Sequence, residues 1–319
     1  MIDQILVPLD GSSLAERVLP HLFALAKPFN SRVTLLRVMS HTQAGEPNRR
    51  IDPLDWQLRE AEARSYLNRL TSELQGSGLN VSSTLLHGDP ATTIIDFVNS
   101  EDLDLILLSS HGLSGLTGWN ISSVVQKTVI RVNKPIMIVR AYQPAPDVLS
   151  EAQYKKILTP LDGSQRAESV LPLASTLADF HDAELLLAHV VRKPEVPRRG
   201  PPSLEDEELA DTITEHNRLE ASRYMKQLEG RFPGDLRSQI FVGTDVADTL
   251  HELVDRENPD LVVMSAHGYT GSTQWPYGSL ALNFIAFGTS PLLIVRDLPE
   301  DHATLLTLAE EVTKERQGH

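Results

Sequence analysis

Two stretches of the chain combine serine, histidine and glycine at matching intervals. Residues 265–279 read SAHGYTGSTQWPYGS, and residues 109–123 read SSHGLSGLTGWNISS. In the first, Gly278-Ser279 stands directly before LALNFIAF, an apolar run that reads as a helix. A Gly-Ser pair at a helix start offers unpaired backbone N–H groups, a hydroxyl and the positive end of the helix dipole, which together can hold a phosphate. Gly268 removes a side chain where backbone must turn or approach a ligand closely. Residues 265–279 contain no lysine or arginine, so a phosphate there would rest on backbone amides, with or without a divalent metal. The missing Walker-type lysine argues against fast phosphoryl transfer. Glycines so placed also serve a plain strand-to-helix turn, and the residues alone leave both readings open.

Such loops need a scaffold, and the chain carries one twice. ILVPLDGSSLAERVLP (5–20) returns as ILTPLDGSQRAESVLP (157–172), DLILLSSHG (104–112) as DLVVMSAHG (260–268), and KPIMIVR (134–140) as SPLLIVR (290–296). A repeat this long is a whole domain rather than a solenoid unit. The expected layout is a domain over 1–143, a Pro- and Ala-rich linker over 144–153, a second domain over 154–298 and a tail helix over 299–319. Short apolar runs such as ILVPL, VTLLRV, LILL and PIMIVR lack period-2 alternation, as strands buried on both faces of a parallel sheet do. VSSTLL (81–86) and SQIFV (238–242) are more polar and suit an edge strand. With helical segments between the strands, the fold class is α/β: two tandem doubly wound, Rossmann-like domains, each with a five-stranded parallel sheet ordered 3-2-1-4-5.

Local signals refine this layout. Leu14, Val18 and Leu22 predict a helix, Ser13 and Glu16 stand at capping-box spacing, and Pro20 and Pro172 predict kinks. Thr92–Ser100 and Asp248–Glu257 predict a helix before the fourth strand of each copy, and Pro8 and Pro160 predict the end of the first. In an open parallel sheet, ligands bind beyond the carboxyl ends of the strands, where the strand order reverses. Asp10-Gly11-Ser12 and Asp162-Gly163-Ser164 leave the first strand at that edge and would face the glycine loop across a crevice.

Composition narrows the partners. The 319 residues are 41% hydrophobic and 23% charged, as in a soluble globular protein. A formal net charge of −14 opposes nucleic acid and anionic membranes as partners. There is no cysteine, which excludes disulfides, thiolate metal sites and thiol nucleophiles. The opening MIDQILVPLDGS lacks the features of a signal peptide, and no apolar run approaches membrane-spanning length, so a cytoplasmic location is expected.

These residues resemble the universal stress protein family in its tandem-domain form, over residues 1–140 and 154–297. Its opening P-x-D-G-S matches Pro8 to Ser12 and Pro160 to Ser164. ATP-binding members of that family carry G-x2-G-x9-G-[ST] after the fourth strand, whereas one branch lacks the motif and binds no nucleotide. The second copy supplies Ser265-x2-Gly268-x9-Gly278-Ser279, and the first Ser109-x2-Gly112-x9-Ser122-Ser123. The resemblance implies ATP as ligand, with or without Mg²⁺. It implies Asp162 and Val190 at the adenine, Ser265 and Gly268 at the ribose and first phosphates, and Gly278, Ser279 and Leu280 at the outer phosphates. Pro160, Leu161, Met264 and His267 complete the implied set. The corresponding residues of the first copy are Asp10, Val38, Ser109, Gly112, Ser122, Ser123 and Val124. Both copies have Ser at the motif's first glycine, but only the first has lost the third, to Ser122. A positive φ there would cost a non-glycine residue about 1–2 kcal/mol, so the first site is expected to be degenerate.

Other residues are given plainer roles. His111 and His267 are expected to serve loop structure rather than catalysis, and His189 to be a satisfied core or crevice-edge residue. Trp119 and Trp275 are expected to pack under the loops. No cluster has metal-ligand spacing, so no catalytic residue or metal ligand is assigned and the chain is read as not an enzyme, with slow ATP hydrolysis left open. The polar segments 41–53 and 192–208 either fold over the crevice or form surface loops. Leu305, Leu308 and Val312 give the tail one apolar face for docking on the body or another subunit. The function expected is an ATP-binding regulatory stress-response protein, a homodimer with a protein partner still to be identified. The alternative is a nucleotide-free dimerisation scaffold. A phospho-acceptor role for Asp10 or Asp162 ranks last, because no acidic neighbour stands at the strand end to hold Mg²⁺. The resemblance also implies a pseudo-dimer formed through the last strands, PIMIVR and PLLIVR.

Overall fold

A computed structural model describes residues 2–40, 52–113, 115, 121–142, 152–194, 203–232, 234–269 and 276–296. The expected tail helix, linker residues 144–151, Trp119, Trp275 and residues 41–51 and 195–202 of the polar segments lie outside the described residues. The first half runs β1 (Gln4–Pro8), a 3-10 turn (Ala15–Val18), α1 (Leu19–Phe29), β2 (Arg32–Met39), α2 (Pro53–Gly76), β3 (Asn80–His87), α3 (Pro90–Ser100), β4 (Leu105–Ser109), α4 (Ser123–Arg131) and β5 (Ile136–Val139). The second half repeats the order as β6 (Lys156–Pro160), α5 (Gln165–Glu168), α6 (Leu171–His181), β7 (Glu184–Arg192), α7 (Leu204–Glu229), β8 (Leu236–Gly243), α8 (Val246–Glu257), β9 (Leu261–Ser265), α9 (Ser279–Phe287) and β10 (Leu292–Val295).

Each half forms a parallel sheet in the order 3-2-1-4-5. The two fuse into one ten-stranded sheet, β3-β2-β1-β4-β5-β10-β9-β6-β7-β8. The junction is antiparallel, with Leu292 opposite Ile138, Leu293 opposite Met137 and Ile294 opposite Ile136. The last strands therefore form the pseudo-dimer that the resemblance implied. The polar strands β3 and β8 take the outer edges, where one row of backbone groups can face water. An apolar core covers each face of the sheet and runs through both halves. On one face α1 packs on α6 across the junction, where the His21 ring bonds Tyr154 Oη at 3.1 Å through Nδ1.

Two local expectations are corrected. The prolines do not kink a continuous helix: Pro20 and Pro172 sit in the first turns of α1 and α6, after a separate short turn or helix. A first-turn residue has no intrahelical partner for its N–H, so proline costs nothing there and starts the helix afresh. Nor does Ser13 cap: Ser12 Oγ accepts from Ala15 N at 3.1 Å, as Ser164 Oγ does from Ala167 N. Pro8 and Pro160 end their strands as expected.

Candidate functional site

The carboxyl edge of β6 turns sharply, because Gly163 takes φ +84°, a conformation that L side chains rarely adopt. Gly11 does the same after β1, at φ +87°. The turn brings Asp162 Oδ1 to the Ser164 amide (3.0 Å) and hydroxyl (2.6 Å). Asp162 Oδ2 reaches across the crevice and accepts from Tyr269 N at 2.5 Å. Asp162 thus braces the loop after β6 against the loop after β9. Gly268 allows that approach, since an added Cβ would lie 2.1 Å from Asp162 Oδ2.

Behind the brace opens a cavity of about 790 Å³, and every residue predicted for the second-copy site lines it. Pro160, Leu161 and Asp162 come from β6 and its turn, and Val190 from β7. Met264, Ser265, His267 and Gly268 follow β9, and Gly278, Ser279 and Leu280 begin α9. Because β9 and β7 flank β6 on opposite sides, the cavity spans the point where the strand order reverses.

The start of α9 differs from expectation. Gly278 has φ −71° and ψ 168°, ordinary extended backbone, so its conformation does not require glycine. Ser122 before α4 has the same geometry, φ −72° and ψ 161°. The loss of glycine in the first copy therefore stores no backbone strain, contrary to the expected cause of a degenerate site. The difference is chemical. Ser122 Oγ accepts from Val125 N at 3.4 Å and caps α4, whereas α9 has no side-chain cap. Among the described residues the first-turn amides of α9 thus have no side-chain partner, and the residues that carry them line the cavity.

The sequence reading missed several lining residues. Arg192, Thr244, Asp245, Tyr269, Tyr277 and Asn283 also border the cavity. Arg192 lies two residues beyond Val190 on β7 and so shares its face, which strand periodicity could have shown. Thr244 and Asp245 follow β8 at the same sheet edge, and the rule that singled out the other loops applies to them equally. Arg192 brings a cation to the cavity lining, so backbone amides are not its only electropositive groups. Asn283 is oriented by His251, whose Nε2 lies 2.6 Å from Asn283 Oδ1 and whose ring stacks on Phe284.

The first-copy residues assemble in the same frame. Asp10 Oδ1 accepts from Ser12 N (2.9 Å) and Oδ2 from Leu113 N (2.6 Å), while a Cβ on Gly112 would meet Asp10 Oδ2 at 2.0 Å. Val38 packs against the core from β2, Ser122 caps α4, and Ser123 and Val124 form its first turn. Ser109 Oγ donates to Leu14 O at 2.7 Å, so its proton is committed to the fold. Among the described residues Ser265 Oγ accepts from His267 N at 3.4 Å and donates to none.

His111 and His267 are buried at the loop bases. His189 departs in part from expectation: it is half-buried with its ring against Tyr224, and its Nδ1 has no hydrogen-bond partner among the described residues. Burial lowers its pKa, against the opposing pull of the Leu161 backbone and the Asp162 charge. Among the described residues no cluster of three or more His, Cys, Asp or Glu could hold a metal ion, and no helix is long and apolar enough to cross a membrane.

Fold and site together define a class: a doubly wound α/β domain present twice, with a small-molecule-sized crevice at the switch point of the second copy. The sequence matches the Universal stress protein family over residues 1–140 and again over 153–296, and the chain belongs to that family in tandem form. Universal stress protein Rv2005c of Mycobacterium tuberculosis is 23% identical over 231 residues, covering 72% of this chain and 74% of that protein. Universal stress protein MJ0531 of Methanocaldococcus jannaschii is 25% identical over 138 residues, 43% of this chain and 81% of its own length. Among solved structures, a universal stress protein from Pseudomonas aeruginosa UCBPP-PA14 superposes with a TM-score of 0.67 at 20% identity, covering 97% of this chain and 98% of that one. One from Archaeoglobus fulgidus DSM 4304 gives 0.64 at 20% identity, over 92% and 98%.

Proposed function

We propose that the second domain binds ATP, with Mg²⁺, in a regulatory role without rapid turnover, and that the first domain does not. The observation that carries this reading is the cavity of about 790 Å³ with the uncapped start of α9 at one end. Its size falls within the range of small-molecule sites, about 300–1,000 Å³. The first-turn amides of Ser279 and Leu280 supply an anion cradle, backed by the helix dipole. Asp162 lines the floor, where a carboxylate can accept from an exocyclic amine of a base. The absence of a lysine from the loop supports holding a phosphate over transferring it.

A second reading, a nucleotide-free scaffold, draws on one observation. The Asp162 carboxylate already accepts from three donors, the amides of Tyr269 and Ser164 and the Ser164 hydroxyl, and so has a purely structural task. Denaturing the purified protein and identifying released small molecules by mass spectrometry separates the two. ATP at about one per chain, with calorimetric rebinding of ATP–Mg²⁺ at the same stoichiometry, supports the nucleotide reading. No released nucleotide and no heat of binding leaves the scaffold.

A further inference from the structure

We propose that Arg140, from the first domain, is a positioning residue for the anion cradle of the second: it clamps the far end of α9 and so fixes the amides that face the cavity. The inference rests on the nucleotide reading of that cavity. Arg140 follows β5, is 1% exposed, and crosses the junction between the halves. Its Nη2 donates to Phe284 O at 2.7 Å and its Nη1 to Ile285 O at 3.1 Å, carbonyls of the last turn of α9.

This cation is buried on helix carbonyls, and its Nε has no hydrogen-bond partner. Burial lowers its pKa to about 10, which still leaves it charged at neutral pH. A buried charge is costly unless compensated, and here the negative end of the α9 dipole supplies the compensation. The surroundings are shaped to admit it. A Cβ on Gly288 would lie 2.6 Å from Phe284 O and 3.0 Å from Arg140 Nη2, so a larger residue would disturb the contact. Tyr142 Oη donates to Gly288 O at 3.2 Å and ties the same corner to the first domain.

The other repeat arginine acts on the opposite end of the same unit. Arg296 Nη1 donates to Pro276 O, in the loop before Gly278, and its guanidinium lies 4.6 Å over the Tyr277 ring that lines the cavity. Its Nη2 donates to Val132 O at 3.1 Å, just beyond α4 in the first domain. The loop and α9 are thus held at both ends, and each hold runs into the first domain. A helix fixed along its axis presents its first-turn amides ready-placed, so less ordering remains to be done when an anion binds.

The test uses the full-length chain as wild type, Arg140→Met, Arg140→Lys and Gly288→Ala, the last keeping the arginine but disturbing its seat. Calorimetry compares ATP–Mg²⁺ with adenosine, which carries no phosphate for the α9 amides, and hydrogen exchange follows the helix-bonded amides of residues 282–287, the first of which donates to Gly278 O at 3.0 Å. In Arg140→Met, ATP affinity is expected to fall about tenfold while adenosine affinity stays within about twofold, as expected for a lost hydrogen bond from a charged group acting only through the cradle. Exchange at residues 282–287 should quicken, Arg140→Lys should recover part of the affinity, and Gly288→Ala should show the same ATP-selective loss if Arg140→Met does not fold. Equal loss for ATP and adenosine overturns the proposal, as does unchanged affinity with unchanged exchange. If the wild type binds no nucleotide, the nucleotide reading fails on its own, and exchange at residues 282–287 alone then decides whether Arg140 holds α9.

Discussion

Asp10 in the first domain and Asp162 in the second do the same work. Each accepts from the amide two residues on and, across the crevice, from the amide after the His-Gly pair. Each also depends on a glycine opposite, Gly112 or Gly268, where a Cβ would fall about 2 Å from the carboxylate. Around this shared brace the crevices diverge. Ser122 caps α4, and Ser109 commits its proton to Leu14 O. Their counterparts, Gly278 and Ser265, make neither commitment, and Arg192 lines the second cavity where the first copy has Ser40. Duplication has kept the frame in both halves. What changed is which donors remain available to a ligand.

The largest expected effect comes from breaking the brace in one copy at a time. Gly268→Ala drives a methyl into Asp162 and should weaken ATP–Mg²⁺ binding about a hundredfold, a loss of ~3 kcal/mol. Gly112→Ala does the same to Asp10 and should leave nucleotide affinity within about twofold. Both variants should lose about 1–3 kcal/mol of stability, because overpacking affects either copy alike. Calorimetry beside denaturant melts checks this. An equal loss of affinity in the two variants would falsify the division of labour between the domains.

A second asymmetry lies on the opposite face, where α1 meets α6. His21 packs, half-buried, against Tyr154, while the equivalent position in the second copy is Leu173. Burial lowers the His21 pKa from 6.5 to about 4, with the Asp260 charge pulling weakly upward. The folded state therefore resists a proton that the unfolded chain accepts readily. Stability is complete above pH 6.5, falls as pH drops through that value toward about 4, and levels off below. The loss amounts to about 3 kcal/mol at most. Denaturant midpoints across that window should slope in the wild type. The slope should be shallower in a His21→Leu, Tyr154→Phe variant, which removes the titrating ring together with the hydroxyl it satisfies. An unchanged slope would show that the halves do not differ in acid sensitivity at this contact.

Much of this was legible in the sequence because it rests on short-range rules. The repeat set the domain count, unbroken apolar runs marked buried parallel strands, and Pro8 and Pro160 marked the edge from which ligand loops leave. All the residues predicted for the second-copy site reached one cavity because that edge gathers the ends of β6, β7 and β9. Pro20 read as a kink because spacing alone cannot tell one interrupted helix from two, whereas the first-turn position makes a break the cheaper solution. Capping-box spacing points to Ser13, whereas Ser12 Oγ takes the Ala15 amide, an offset of one residue that helix ends rarely disclose. Gly278 invited an argument from strain, but its φ is negative. The Arg140 contact was out of reach altogether: it joins residues 144 apart in sequence across an antiparallel junction that no local pattern encodes.

The smallest expected effect is the most diagnostic, because it exchanges only the residue that first distinguished the two loops. Gly278 and Ser122 share a backbone conformation, and the nearest heavy atom to a Cβ on Gly278 would be Ala266 O at 3.4 Å, so Gly278→Ser should be accepted with little strain. The new hydroxyl can then do for α9 what Ser122 does for α4, accepting from a first-turn amide. Stability should rise by a few tenths of a kcal/mol (about 0.3), the usual advantage of serine over glycine at an N-cap. ATP affinity should meanwhile fall about fivefold as a cradle amide turns inward. The reverse change, Ser122→Gly, should lower stability by a similar amount without weakening the second-domain site. Thermal melts and calorimetry on the two variants read both quantities at once. Undiminished ATP affinity in Gly278→Ser would shift the origin of the asymmetry from the cap to Arg192 and Ser265, the other two positions where the crevices part.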